Sequence, residues 1–109
     1  MMDWLNAFLV TQVVEIPIYL YAGRKLPAGR RWLLAAGAST LTHPIVWFAF
    51  PWFTAPYGPT IVAAECFAVL AEAGLAYIAG VKHPLKWSFL ANTASVIIGM
   101  TLRWLINWP

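Results

Sequence analysis

The sequence contains few charged residues. Only 10% of its 109 residues are charged, whereas 61% are hydrophobic. A water-soluble domain of this size needs a far more charged surface, so the composition excludes that class of protein. Apolar stretches fill most of the length and predict one transmembrane domain over residues 1–109, with the lipid bilayer as its main partner.

Cysteine and the familiar hydrolase motifs are also scarce. Cys66 is the only cysteine in the sequence, which excludes an internal disulfide or a thiolate metal cluster within one chain. The sequence contains no Gly-x-Ser-x-Gly motif and no aspartate pair. Intramembrane proteolysis of the serine or aspartyl type therefore has no support.

Four apolar stretches predict an all-α membrane protein. We expect helices at about residues 4–21, 32–53, 60–80 and 87–106. Each stretch is close to the ~20 residues that a helix needs to cross the hydrocarbon region. Because short loops favour antiparallel neighbours, the expected architecture is an up-down four-transmembrane-helix bundle.

Basic residues are concentrated in the first and third loops. These loops hold six of the seven Lys and Arg residues: Arg24, Lys25, Arg30, Arg31, Lys82 and Lys86. The positive-inside rule predicts that both loops are cytoplasmic and that both termini are outside, in a multi-pass protein of the bacterial inner (plasma) membrane. The net charge of +3 thus indicates orientation and no nucleic-acid partner.

Polar side chains converge at one depth. At ~1.5 Å per residue from the outer helix ends, Glu15, Glu72 and Ser95 lie ~18 Å deep and His43 lies ~15 Å deep. Since the hydrocarbon region is ~30 Å thick, all four are near its midplane. Each predicted helix contributes one of them, so we expect them to meet.

No Lys or Arg is expected at the depth of Glu15, His43 and Glu72. Two ionised carboxylates and a neutral imidazole would carry two uncompensated negative charges, so proton uptake or a bound cation must neutralise them. Because ionisable groups inside a membrane are functional by default, we predict an ion- or substrate-binding site here. Its expected residues are Glu15, His43, Glu72, Ser95, Asn92 and Tyr19.

Three kinds of function remain open for these residues. The first is binding of a cation or proton, with transport as one use of such a site. The second is a divalent metal site of Glu15, His43 and Glu72 suited to Zn, Mn or Fe, which would allow an intramembrane metal-dependent enzyme, although no Glu-x-x-His spacing is present. The third is an accessory or structural subunit of a larger membrane complex or a homo-oligomer, whose acids pair with a partner.

A second, shallower pair lies ~8 Å from the outer helix ends. Glu65 and Arg103 are expected to form a structural ion pair that joins the third and fourth helices. Taken singly, Asn92, Ser95 and Gly99 are typical of close helix packing with hydrogen bonds between helices.

Four short motifs follow one another over nearly the whole chain: Glu-Ile-Pro at 15–17, Leu-Thr-His-Pro at 41–44, Glu-x6-Glu at 65–72 and Asn-Thr-Ala-Ser at 92–95. The set resembles a group of small four-helix bacterial membrane proteins of unassigned function, and this implies that the four places form one site.

The general plan also resembles the small multidrug resistance transporters, in length, helix number and a Glu midway along the first helix, where Glu15 stands. That family's glycine motif in the third helix and its tryptophan pattern are missing, and the charge bias of the loops opposes dual topology. The resemblance is one of architecture.

Overall fold

The computed structural model describes residues 2–48 and 57–107, and within them the side chains of residues 5–46 and 59–107. The described chain forms four helices: α1 (Met2–Ala22), α2 (Ala28–Phe48), α3 (Tyr57–Ala79) and α4 (Pro84–Ile106). The prediction of four helices is thus confirmed. Residues 49–53, which we assigned to the second helix, lie outside the described residues.

Helices α2 and α4 begin three to four residues earlier than the hydrophobic pattern indicated. The carbonyl of Pro27 accepts the N–H of Arg31 at 2.9 Å, which completes the first turn of α2 within the basic segment. Helix α4 starts at Pro84, where the missing N–H of proline costs no helical hydrogen bond. The first turn of α2 contains Arg30 and Arg31, and the first turn of α4 contains Lys86. A search for apolar stretches therefore places both helix starts too late.

The helices form a closed ring of four. Helix α1 packs against α2 and α4, and α3 packs against the same two helices. The Arg30 Nη1 atom lies 3.5 Å from the Ala79 carbonyl oxygen, so the start of α2 adjoins the end of α3. Connections 23–27 and 80–83 therefore meet at one end of the bundle, hereafter the basic end, and neighbouring helices run antiparallel.

The molecule carries its apolar side chains on the outside. Val13 is 73% exposed and Ile78 is 81% exposed, whereas Glu15, Tyr19 and Glu72 are among the largest fully buried side chains. This is the reverse of a water-soluble protein and fits a lipid surrounding, in which polar groups must be satisfied internally. Within the described residues, three segments are long and apolar enough to span a membrane: Leu5–Ala22, Pro59–Ala79 and Pro84–Ile106.

Seven of the nine buried apolar residues in the described chain form one cluster, hereafter the apolar seal, of mainly small side chains, and Ala64 and Ala68 are buried outside it. Its members are Tyr19, Leu34, Ala35, Ala38, Ala76, Val81 and Ala91. Small residues let helix backbones approach closely, which is the usual basis of helix association in membranes.

Candidate functional site

Glu72 lies at the centre of the bundle and is only 1% exposed. Its Oε1 accepts hydrogen bonds from the Tyr19 hydroxyl at 2.7 Å and from Asn92 Nδ2 at 3.2 Å. Its Oε2 accepts a third from Thr42 Oγ1 at 2.6 Å. Each of the other three helices thus donates one hydrogen bond to this side chain of α3. Three donors stabilise a carboxylate in its ionised form.

Glu15 is buried beside this centre and has fewer partners. Its Oε2 accepts a hydrogen bond from Ser95 Oγ at 2.7 Å. Its Oε1 is buried and has no hydrogen-bond partner among the residues that the structure describes. The Glu15 and Glu72 carboxyl groups are within side-chain hydrogen-bonding reach of each other. Since two carboxylates are both acceptors, this contact becomes a hydrogen bond only if one of them carries a proton.

Further hydrogen bonds fix the donors around the two carboxyl groups. Asn92 Nδ2 also donates to the Ser88 carbonyl at 2.9 Å, and Ser88 Oγ donates to the Val69 carbonyl at 2.7 Å. Ser95 Oγ approaches the Asn92 carbonyl at 3.0 Å. These contacts restrict the side-chain rotamers, so the site is built into rigid helices and not into a loop.

The structure brings five of the six sequence-predicted site residues together. They are Glu15, Tyr19, Glu72, Asn92 and Ser95.

Helix α2 contributes Thr42 to the centre, which the sequence analysis did not include. His43 is half-buried, and its ring centroid lies 5.4 Å from that of Phe8 on α1. Consecutive helical residues point about 100° apart, so Thr42 and His43 cannot both face Glu72. The buried spacing of Ala35, Ala38 and Thr42 marks the inward face of α2, and this three- and four-residue pattern was the signal for Thr42.

The structure does not support the predicted metal site. Within residues 2–48 and 57–107, no three His, Cys, Asp or Glu side chains are grouped so that they could hold a metal ion. Glu15 and Glu72 meet, but His43 does not complete a ligand set with them.

Glu65 and Arg103 do not form the expected ion pair. Arg103 is exposed on the last turn of α4, and Glu65 is half-buried on α3. No ion pair involving either side chain occurs in the described part of the chain. The other carboxyl group on the same face of α3 is that of Glu72, seven residues further along the helix.

A separate polar cluster joins α1 to α2. Ser39 Oγ donates to Gln12 Oε1 at 2.9 Å, and Gln12 Nε2 donates to Thr40 Oγ1 at 2.9 Å. Gln12 Nε2 also approaches the Ala36 carbonyl at 3.3 Å. Every partner is an uncharged side chain or the backbone, so this cluster has the character of interhelical packing.

Comparison with known proteins yields no match of the chain to a family model, to a curated protein or to a solved structure. Assignment of a function therefore rests on the chemistry of the site.

Proposed function

We propose that this chain is a multi-pass protein of the bacterial inner membrane that binds a proton at the Glu15–Glu72 pair and uses it in exchange for a small cation. The observation that carries the proposal is the contact of two buried carboxyl groups. Among the described side chains, no Lys or Arg makes a hydrogen bond or ion pair with either carboxyl group.

Electrostatics favours one shared proton at this pair. Two like charges ~4 Å apart repel by about 4 kcal/mol at an effective dielectric constant of about 20. Desolvation adds to that cost for groups buried in a membrane. A single proton removes one charge and converts the contact into a hydrogen bond. The pair then holds one net negative charge, which the donors around Glu72 stabilise.

The hydrogen-bond partners assign different roles to the two carboxyl groups. Glu72 receives three donors and acts as the anion of the pair. Glu15 receives one donor, from Ser95, and acts as the carrier of the proton. Removal of that proton leaves a second negative charge, which a cationic solute can neutralise. Proton and cation thus compete for one charge position, and this competition is the basis of exchange.

The pairing within one chain also supports a self-contained site. Both carboxyl groups are buried inside the monomeric bundle and are not on its lipid-facing surface. An accessory subunit whose acids wait for a partner would present them outward. No specific contact favours that alternative, so we retain cation and proton binding as the proposed function.

Infrared spectroscopy of the purified protein tests the proposal. A protonated carboxyl group gives a C=O stretching band distinct from that of a carboxylate. We expect this band at neutral pH in the wild type and its loss in Glu15→Gln. Addition of a small organic cation such as tetramethylammonium should diminish the same band and release protons to the medium.

The matched control is Glu65→Gln, which makes the same chemical change on α3 outside the pair. The band component that disappears in Glu15→Gln should persist in Glu65→Gln. A wild-type protein without any protonated-carboxyl band at neutral pH would contradict the proposal. Persistence of the whole band in Glu15→Gln would contradict the assignment of the proton to Glu15.

A further inference from the structure

The apolar seal lies entirely on one side of the carboxyl pair. In α1 its residue Tyr19 follows Glu15 toward the basic end, and in α3 Ala76 and Val81 follow Glu72 in the same direction. In α4 its residue Ala91 precedes Asn92 from that end. The α2 members, Leu34, Ala35 and Ala38, all lie between the basic loop and Thr42.

The partly buried side chains packed around the seal extend it in the same direction. They are Ile16, Ile18, Leu20, Ala22, Leu26, Leu75, Ala79 and Trp87. Leu26 belongs to the first connection and lies against Gly80 of the third, where an added Cβ would be 3.5 Å from the leucine side chain. Gly80 has a φ of 100°, so this close approach uses a backbone conformation that favours glycine. The seal thus reaches from the site to the basic end.

Glu65 lies on the opposite side of the pair from this seal. It precedes Glu72 by seven residues on α3, which places it nearly two turns, or about 10 Å, further from the basic end on the same helix face. Ala68 is buried between them. Glu65 therefore lies on the face of α3 that carries Glu72 into the interior of the bundle.

The Glu65 carboxyl group differs from those of the pair in its surroundings. Its side chain is half-buried, and it makes no hydrogen bond to any residue that the structure describes. The other titratable side chains that the structure describes on this half are Glu15 on α1, His43 on α2, the exposed Cys66 on α3 and the exposed Arg103 on α4. Of these, Glu65 is the carboxyl group that combines partial exposure with a position on the same helix face as Glu72, nearly two turns from it.

We infer that, in the conformation of this structure, the carboxyl pair exchanges protons with the end of the bundle opposite the basic end, and that Glu65 passes those protons to it. This inference rests on the proposed proton-binding function. The apolar seal offers no side chain of ionisable carboxyl or imidazole type and separates the pair from the basic loops. Glu65 accepts a proton from water, releases it through a short hydrogen-bonded water chain to the pair, and is protonated again from water.

One-sided pH changes on oriented proteoliposomes test this inference. Orientation is assigned by the reactivity of Gly29→Cys with a membrane-impermeant maleimide in a Cys66→Ser background, because Gly29 is exposed beside the basic end. The pH of one compartment is then changed while the Glu15 carboxyl band is followed. We expect the intensity of the band to change when the pH changes in the compartment that faces away from the basic loops. A change of intensity in response to the pH of the compartment at the basic end overturns the inference.

The rate of the response tests the part assigned to Glu65. A positioned carboxyl group typically accelerates proton transfer by about 100-fold or more, so Glu65→Gln should slow the response by roughly that factor. Glu65→Asp retains a carboxyl group and should restore most of the rate. An unchanged rate in Glu65→Gln overturns the role of Glu65, even if the sidedness holds.

These outcomes are distinguishable from failure of the proposed function. Absence of the Glu15 band in the wild type removes proton binding itself and, with it, the inference. Presence of the band with access from the basic end leaves proton binding intact and overturns only the sidedness. Circular dichroism of Glu65→Gln establishes that a slow response does not reflect loss of helical structure.

Discussion

Tyr19 donates its hydroxyl hydrogen bond to Glu72 Oε1 at 2.7 Å, across the interior of the bundle from α1 to α3. Both side chains are almost completely buried. Helices α1 and α3 occupy opposite corners of the ring and do not pack directly along the described residues. This hydrogen bond therefore joins two helices that are not neighbours in the ring, as the contact between Glu15 and Glu72 also does.

Replacement of this hydroxyl should destabilise the bundle. Tyr19→Phe keeps the ring but removes the donor, which leaves Glu72 Oε1 with Asn92 alone. Loss of one partner of a buried charged acceptor typically costs about 1–3 kcal/mol. We expect a decrease of that size in the free energy of unfolding, measured by equilibrium denaturation in mixed detergent micelles.

The matched control is Tyr21→Phe, since Tyr21 is an exposed tyrosine on the same helix. Surface changes of this kind usually alter stability by no more than about 0.5 kcal/mol. Equal losses in the two variants would mean that the hydroxyl of Tyr19 has no special role in stability.

A substitution of Thr42 tests whether α2 is rotated about its axis so that this residue, and not His43, faces Glu72. Thr42→Val is nearly isosteric and removes the 2.6 Å hydrogen bond to Glu72 Oε2. We expect a loss of about 1–3 kcal/mol in unfolding free energy and a change in the infrared carboxyl band, because the anionic partner of the shared proton loses one donor. Thr101→Val is the control, since Thr101 is exposed and bonds only the Ile97 carbonyl within its own helix. A normal band in Thr42→Val would contradict the site as described.

An ion pair between Glu65 and Arg103 would make the effects of the two substitutions on stability non-additive, and the structure leads us to expect additivity. Because the two side chains do not pair within the described residues, Glu65→Gln and Arg103→Gln should change the unfolding free energy additively, to within about 0.5 kcal/mol. Arg103→Gln alone should cost little, since Arg103 is exposed. A double-mutant cycle in detergent measures this. A coupling well above that limit would show that the pair forms in solution.

Helical periodicity and depth were sufficient to predict most of the site. Glu15, Glu72 and Ser95 occur at similar distances along three apolar stretches, and the fixed rise of a helix converts sequence position into depth. The same reasoning failed for His43, because depth does not determine how a helix is rotated about its axis. That rotation is decided by the packing of small residues such as Ala35 and Ala38, which hydrophobicity alone distinguishes poorly from lipid-facing positions.

The failure at Arg103 has a related cause. Depth placed Glu65 and Arg103 at the same level, but equal depth says nothing about whether two side chains face each other. Long basic side chains near a helix end reach toward the membrane surface, and the exposed position of Arg103 agrees with that behaviour. Helices α3 and α4 are neighbours, as their short connection indicated, so the error lies in how each helix is rotated about its axis.

The last prediction concerns which end of the bundle faces the cytoplasm. The connections that carry Arg24, Lys25 and Lys82 meet at one end of the bundle, so their positive charges act together. Transfer of such an end across the inner membrane is disfavoured, and we expect it to stay in the cytoplasm. In a Cys66→Ser background, Asn107→Cys should react with an impermeant maleimide on intact cells, because Asn107 ends α4 at the opposite end. Gly29→Cys should react only after the membrane is permeabilised, and the reverse pattern would contradict the assignment.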